Sequence, residues 1–508
     1  MALNYRPVDR DQQFLLPPDM REWLPADHLV WVIEALVADM DTTPFTGRKR
    51  RLSTTSRAGQ RGYDPDMLLV LLLYAYSVGQ RSSRGIERLC HTDVAFRVAC
   101  GGDIPDHTVI SRFRSDHAED FADLFTQVLG ECVKAGMGRV GVIAIDGTKI
   151  AADASMGSNR REEYIRDLID EITAEAAEAD ADDEQLNIDD DDDQAARTAL
   201  IAGKGARSRS GKADRLDRAR ECADSIDQAP PSNTDREIEK SEGVLAKKEA
   251  VYQAAYDERL ARYHAWRAAP VHSRGQRPVM HPEEYPRLRA KKDVIERSRD
   301  AIAAKKAKLA AAEVAQSKTR NLTDPDSRLM KNRFGFVQGY NLQLSVSDDH
   351  VILAAETFAD AVDVGLFEPM LKTTAREYEA ACGVEPEIGL ALADAGYHST
   401  QNLECPGPDR LLPDRQSRKL SKVDAVAEVS KSAPIQAMRE RMAVPANLEL
   451  YKRRGALVEP ANGWVKERRG LRRFSMRGLK KVAGEAKLMA AVVNIGRLNA
   501  VRGFAATV

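Results

Sequence analysis

Three acids stand where metal-assisted phosphodiester chemistry would need them: Asp146, Asp394 and Glu459. Asp146 lies in an apolar, β-prone run from Gly141 to Ala152, and Asp394 directly follows a second such run, Ile388 to Ala393. Strands of one sheet bring residues distant in sequence into contact, so the two carboxylates are expected to share a few ångströms of space. Leaving both ionised there is costly unless a cation neutralises them. Hard carboxylate oxygens suit Mg²⁺ or Mn²⁺. Two such ions about 4 Å apart can activate an attacking water or 3′-hydroxyl and stabilise the leaving oxygen, which calls for a third carboxylate. Glu459 is the candidate because it is an acid set in the strongly basic helical segment Tyr451 to Gly470, with Lys466 seven residues on along the same face. Pro460 follows it, which places Glu459 at a helix start or a kink.

The elements that must hold these acids follow from periodicity. Residues 1–135 read as a helical domain, with apolar residues at helical spacing in Leu29–Met40, Met67–Val78 and Phe121–Val133. Within it, Ser82–Cys90, His91–Cys100 and Pro105–His117 read as a helix-turn-helix-like DNA-binding unit. Val109, Ile110 and Phe113 form its buried side, and Arg112 and Arg114 project outward to phosphates or base edges. Residues 136–159 and 321–508 read as a catalytic α/β domain, a mixed sheet flanked by helices. Its signals are the run around Asp146, a hairpin of Phe336–Val346 with Val351–Thr357, a helix over 364–381, the run before Asp394 and a last short strand at 410–413. Residues 415–440 read as polar and loosely ordered.

Between the two parts of that domain, residues 160–320 form a charged helical insertion. The five aspartates Asp189 to Asp193, with further acids from Glu171 to Glu184, read as a disordered linker. Asp235–Ala269 and Glu283–Gln316 read as an antiparallel hairpin with a seam of Ile238, Leu245 and Tyr256 against Leu288, Val294, Ile302 and Leu309.

Bulk properties narrow the class. With 508 residues, 43% hydrophobic, the chain is long enough for two or three domains. No run approaches the roughly 20 apolar residues of a membrane span, and Met1–Pro18 lacks the apolar centre of a signal peptide, so a cytoplasmic protein acting at the nucleoid is expected. Six scattered cysteines form no CxxC pair and suggest neither a zinc ribbon nor a disulfide framework. The net charge of −2 conceals a basic tail: residues 451–508 hold 14 Lys or Arg against three Glu and no Asp, a net +11 that fits a polyanion.

Five segments carry a family resemblance: PDHTVISRFR at 105–114, AIDGTKIAADAS at 144–155, DPDSRLMKNRFGFVQGYNLQ at 324–343, LADAGYHS at 392–399 and YKRRGALVEPANGWVKERRGLRRFSMRG at 451–478. In them the chain resembles the DDE transposases of bacterial insertion sequences, in the branch with a ribonuclease-H-like catalytic domain and a Tyr-Arg-Glu-Lys signature. The resemblance implies that Asp146, Asp394 and Glu459 are the metal-binding triad, and that Tyr451, Arg454 and Lys466 make the flanking DNA contacts. It further implies cleavage and strand transfer at terminal inverted repeats, target DNA as second partner, and a homodimer on paired ends. Four residues separate Arg454 from Glu459 where the general signature has three, which leaves Arg453 as an alternative. A nuclease of the same fold without joining activity, and a non-catalytic DNA-binding regulator, are the competing readings.

Overall fold

A computed structural model of the chain describes residues 19–46, 62–186, 214–227, 233–270, 272, 278–315, 319–332, 335–414 and 432–505. It divides into two compact units, residues up to 158 together with those from 323, and residues 159–322. No helix among the described residues is long and apolar enough to cross a membrane.

The described part of the first unit opens with helices, among them α1 Leu29–Ala38, α2 Pro65–Ser77, α3 Ser83–Thr92, α4 Val94–Ala99, α5 His107–Asp116 and α6 Phe121–Lys134. Their starts follow local chemistry. Asp64 caps α2 before Pro65, Ser82 caps α3 and Asp106 caps α5. The break before α5 falls at Gly101 and Gly102, whose positive φ values of 57° and 80° favour glycine.

β1 (Val142–Ala151) then enters a mixed sheet. Its strands are β4 (Arg328–Asn332), β5 (Gly335–Ser347) and β6 (Ile352–Phe358), with β7 (Leu390–Ala393) and β8 (Asp409–Leu411) beyond β1; β2 and β3 belong to the second unit. β5 pairs antiparallel with β1 on one edge, and with β4 and β6 on the other. β7 and β8 add parallel to β1.

One continuous apolar core joins the helices to the sheet, from Ile33 and Leu71 through Phe125 and Ile145 to Leu488. Its centre is the last helix, Leu479–Ala505, in which Val482, Leu488, Met489, Val492, Ile495 and Leu498 are buried. A helix apolar on all sides belongs inside a protein. Asn494 from this helix donates to Ile352 O at 2.8 Å and accepts from Ile352 N at 2.9 Å, which satisfies the backbone of β6. The basic tail is therefore only partly a surface. Lys487 is buried in an ion pair with Glu377, and the charges open to a polyanion are concentrated before Leu479.

In the second unit β2 (Asn159–Arg161) pairs with β3 (Thr319–Asn321). A helix over 162–186 packs Ile165, Leu168 and Ile172 on Ala219, Cys222 and Ile226 of a helix over 214–227. The acids from Glu171 to Glu184 are thus helical and not part of a disordered linker; Asp189–Asp193 lie outside the described residues. Asn233–Ala268 and Pro286–Ala315 form the expected hairpin, with Ile238, Leu288 and Ile302 buried. Ile295 is buried in place of its neighbour Val294, which is exposed. In the first unit, 433–443 is a helix where loose chain was expected, and 415–431 lie outside the described residues.

Candidate active site

β1 and β7 run parallel with Ile145 opposite Ala393 as their last pair, so Asp146, midway along β1, and Asp394, just after β7, are the next residues of two adjacent strands. Clefts beyond the carboxyl ends of parallel strands are common places for ligands. Burial pushes the Asp146 carboxyl up to about 6; the Arg454 guanidinium opposes this, and the charges of Asp394 and Asp363 add to it. The register therefore sets the two acids side by side across adjacent strands.

The facing helix, Pro445–Gly463, carries the remaining residues of the basic segment. Arg454 points at the acids, with Nη1 3.5 Å from Asp146 Oδ2. Burial works against its charge, but Asp146, Tyr451 and Asp394 together keep the guanidinium protonated beyond its ordinary range. Arg453 is exposed, so Arg454 is the arginine at the site. Asn462 Nδ2 lies 3.5 Å from Asp146 Oδ2, while its Oδ1 is buried without a hydrogen-bond partner.

Glu459 is exposed, and its Oε1 is 3.1 Å from where a Cβ on Gly455 would stand, so the carboxylate lies back along its own helix. Pro460 sits inside the last turn of this helix and not at its start, which is at Pro445. A π turn over Trp464–Arg468 follows, closed by Arg469 N to Trp464 O at 3.0 Å. Such wide turns shift the helical register, so Lys466 does not continue the face of Glu459 at α-helical spacing. Trp464 is half-buried against His350 and the Arg497 guanidinium.

Sequence reasoning missed one acid. Asp363, in the connection between β6 and the helix Phe367–Cys382, takes hydrogen bonds on Oδ1 from Lys149 Nζ, Asn341 Nδ2 and Gln343 Nε2. Gln343 Oε1 in turn accepts from the buried hydroxyl of Tyr397, whose pKa is raised by burial and by the charges of Asp363, Asp146 and Asp394. The strand-to-helix position of Asp363 is the one signal that could have found it. Of the other matching positions in the motifs, Gln338 and Tyr340 are supports, bonded to Ser327 and Asp324.

Of the two arginines expected to project from α5, Arg112 is exposed. Arg114 is buried, 6% exposed, and donates to Tyr76 Oη at 3.2 Å and Arg81 O at 2.7 Å. The expected outward placement of Arg114 is corrected: Ile110 and Arg114 are four residues apart, on the same inward face. His107, His117 and His398 each make a local hydrogen bond, to Glu87, Asp120 and Leu412 O.

Among the described residues, Glu87, Asp106 and His107 have ligand atoms all within 4.8 Å of one another. Their closeness follows from the His107–Glu87 contact at 2.9 Å and from Asp106 capping α5. The triad acids do not form so tight a group in this state.

Two family models match the chain. Residues 18–116 match a transposase domain (DUF772), and residues 393–499 match a transposase DDE domain. The second span begins one residue before Asp394 and includes Glu459. Neither the curated proteins nor the solved structures include a significant match.

Proposed function

We propose that the chain is a DDE transposase of the insertion-sequence type, a reading that the two transposase domain matches support, and that it cleaves DNA at the terminal inverted repeats of its element and joins the freed ends to target DNA. Two divalent cations, Mg²⁺ or Mn²⁺, would be held by Asp146, Asp394 and Glu459. The observation that carries this reading is the placement of Asp146, within β1, beside Asp394, which follows β7, where the parallel pairing of the two strands ends. The strand order β6-β5-β1-β7-β8 supports the ribonuclease-H-like reading of the sheet.

The donor set fits a hard cation. A buried carboxylate with its pKa raised to about 6 beside other acids is a site whose charge a metal relieves. The partnerless Asn462 Oδ1 adds a neutral oxygen of the kind such ions accept. When bound, paired cations supply activation of the attacking oxygen and stabilisation of the leaving one.

The chain's own residues supply placement. Strand backbone fixes Asp146 and Asp394, while Glu459, exposed on the helix that carries Arg454, would be the third acid. Tyr451, Arg454 and Lys466 would make the flanking DNA contacts, and exposed Arg112 and Arg468 would offer charge to phosphates. The protein is proposed to act as a homodimer on paired ends, in the cytoplasm at the nucleoid.

The test is nicking and joining of DNA bearing the element's ends in Mg²⁺. Asp146→Asn, Asp394→Asn and Glu459→Gln should each abolish both steps and leave DNA binding intact. Full activity in any one removes that residue from the triad.

A further inference from the structure

Asp363 stands outside the triad, yet the residues around it are organised for it. Oδ1 receives Asn341 Nδ2 at 2.7 Å, Gln343 Nε2 at 2.9 Å and Lys149 Nζ at 3.1 Å. A carboxylate oxygen offers about two lone-pair sites, so three donors saturate it. Oδ2 borders Asp394: the point where a Cβ on Gly396 would stand is 3.7 Å from Asp363 Oδ2 and 2.8 Å from Asp394 Oδ1. Among the described residues no hydrogen bond reaches Oδ2.

The strand register explains how the donors converge. Lys149 pairs with Asn341 and Gly147 with Gln343 across β1 and β5, and residues two apart on a strand share a face. Gly147 leaves the space that Asp363 fills. A Cβ there would stand 2.2 Å from Gln343 Nε2 and 2.8 Å from Asp363 Oδ1. The residue directly after Asp146 thus has no side chain, and a third carboxylate approaches the pair where that side chain would have been.

A carboxylate brought this close to two others raises their mutual repulsion. Lys149 Nζ, 3.1 Å from Oδ1, and Arg454, 3.5 Å from Asp146 Oδ2, compensate two of the three charges. A cation between the acids would turn that repulsion into attraction. Mg²⁺ and Mn²⁺ take about six oxygen ligands, more than a triad of single oxygens provides.

We infer that Asp363 is a fourth carboxylate of the centre, with Oδ1 anchored by Lys149, Asn341 and Gln343 and Oδ2 offered to a divalent cation that Asp146 and Asp394 also hold. This rests on reading those two acids as a metal site, and the experiment separates the two claims.

Mn²⁺ binding to the full chain is measured by calorimetry for the wild type, Asp146→Asn and Asp363→Asn. Asp363→Asn keeps an oxygen for the three donors and exchanges Oδ2 for an amide. It should weaken Mn²⁺ by about 10–100-fold, the range seen when groups supporting a metal are lost, with no loss of stability in EDTA. Wild-type affinity in Asp363→Asn, with weakened binding in Asp146→Asn, overturns the inference alone. No Mn²⁺ binding by the wild type overturns the metal reading itself. Should Asp363→Asn fail to fold, the wild type loaded with Fe²⁺ is treated with ascorbate and peroxide, which cuts backbone beside the ion. Cuts at 146, 394 and 363 are expected, and cuts at the first two without one between Asp360 and Leu366 overturn the inference.

Discussion

Replacing Asp146 by asparagine should stabilise the metal-free protein, and by an amount that depends on pH. An aspartate carboxyl raised from its ordinary 3.8 to about 6 corresponds to about 3 kcal/mol. Its side chain is 22% exposed, so solvent screens the charge only in part. The folded state binds this proton more tightly than the unfolded chain does. The stability this confers is fully present below pH 3.8 and is lost as the pH rises through 6. Asparagine is neutral and of nearly the same shape, so it escapes that loss. In EDTA the variant and the wild type should differ least near pH 4, and by about pH 8 the variant should be ahead by up to about 3 kcal/mol. Arg454, 3.5 Å from the carboxylate, opposes the shift, so the attraction lost on substitution is already contained in that ceiling. Urea unfolding across this range reads the difference directly. With Mn²⁺ at 100 times its Kd the wild type gains about 2.7 kcal/mol, so its deficit should nearly vanish. A variant less stable than the wild type at pH 8 in EDTA, or a difference flat with pH, refutes the argument that burial beside like charges is what Asp146 endures.

Four further substitutions test the packing and the charged surface. Gly147→Ala puts a methyl 2.2 Å from Gln343 Nε2, so it should cost about 1–3 kcal/mol in urea unfolding and depress Mn²⁺ binding; a neutral result would mean the Asp363 cluster has room to spare. Arg114→Ala removes the buried donor to Tyr76 Oη and Arg81 O and should destabilise by about 1–3 kcal/mol. Arg112→Ala should leave stability unchanged and lower the salt slope of DNA affinity by about one, and an equal effect of the two on that slope would restore Arg114 to the DNA surface. Gly484→Ala sets a Cβ 1.9 Å from the Ala118 carbonyl, and an unchanged unfolding midpoint would show that the last helix can shift.

What the sequence shows and what it hides separate along physical lines. Strand-borne acids are legible because a charge in or just after an apolar β-prone run has few other readings; Asp394 follows β7 directly and Asp146 lies within β1. Arg114 is legible in hindsight: Ile110, Phe113, Arg114 and His117 keep helical spacing and all four are buried, but a charged residue discounts its own periodicity. Asp363 belongs to a connection with no period at all, and its three donors come from two other strands. The basic tail misleads because charge counts ignore pairing; Glu485 and Lys487 each have buried partners. The π turn after Gly463 has no sequence signature, so the spacing from Glu459 to Lys466 reads as one helical face when it is not.

The insertion between Asp146 and Asp394 poses the last physical question, which is how some 160 residues can interrupt a sheet whose strands must stay in register within tenths of an ångström. The ends of the insertion answer it. Asn159 pairs with Asn321 across β2 and β3, and Asn321 Nδ2 donates to Asn159 Oδ1 at 2.9 Å. Asn321 is fully buried, and its carbonyl accepts from Cys222 Sγ. The inserted chain therefore leaves and returns at one point and closes on its own ladder. Loop-closure entropy grows only with the logarithm of length, so once its ends are pinned an insertion of this size costs little more than a short one. Between Ser158 and Thr323 the first unit spans only a short gap. Its β1 pairs with β5 over nine consecutive positions, Ile143 opposite Ser347 through Ala151 opposite Gly339. That unbroken ladder sets Lys149 opposite Asn341 and Gly147 opposite Gln343, and so fixes the donors on which Asp363 depends.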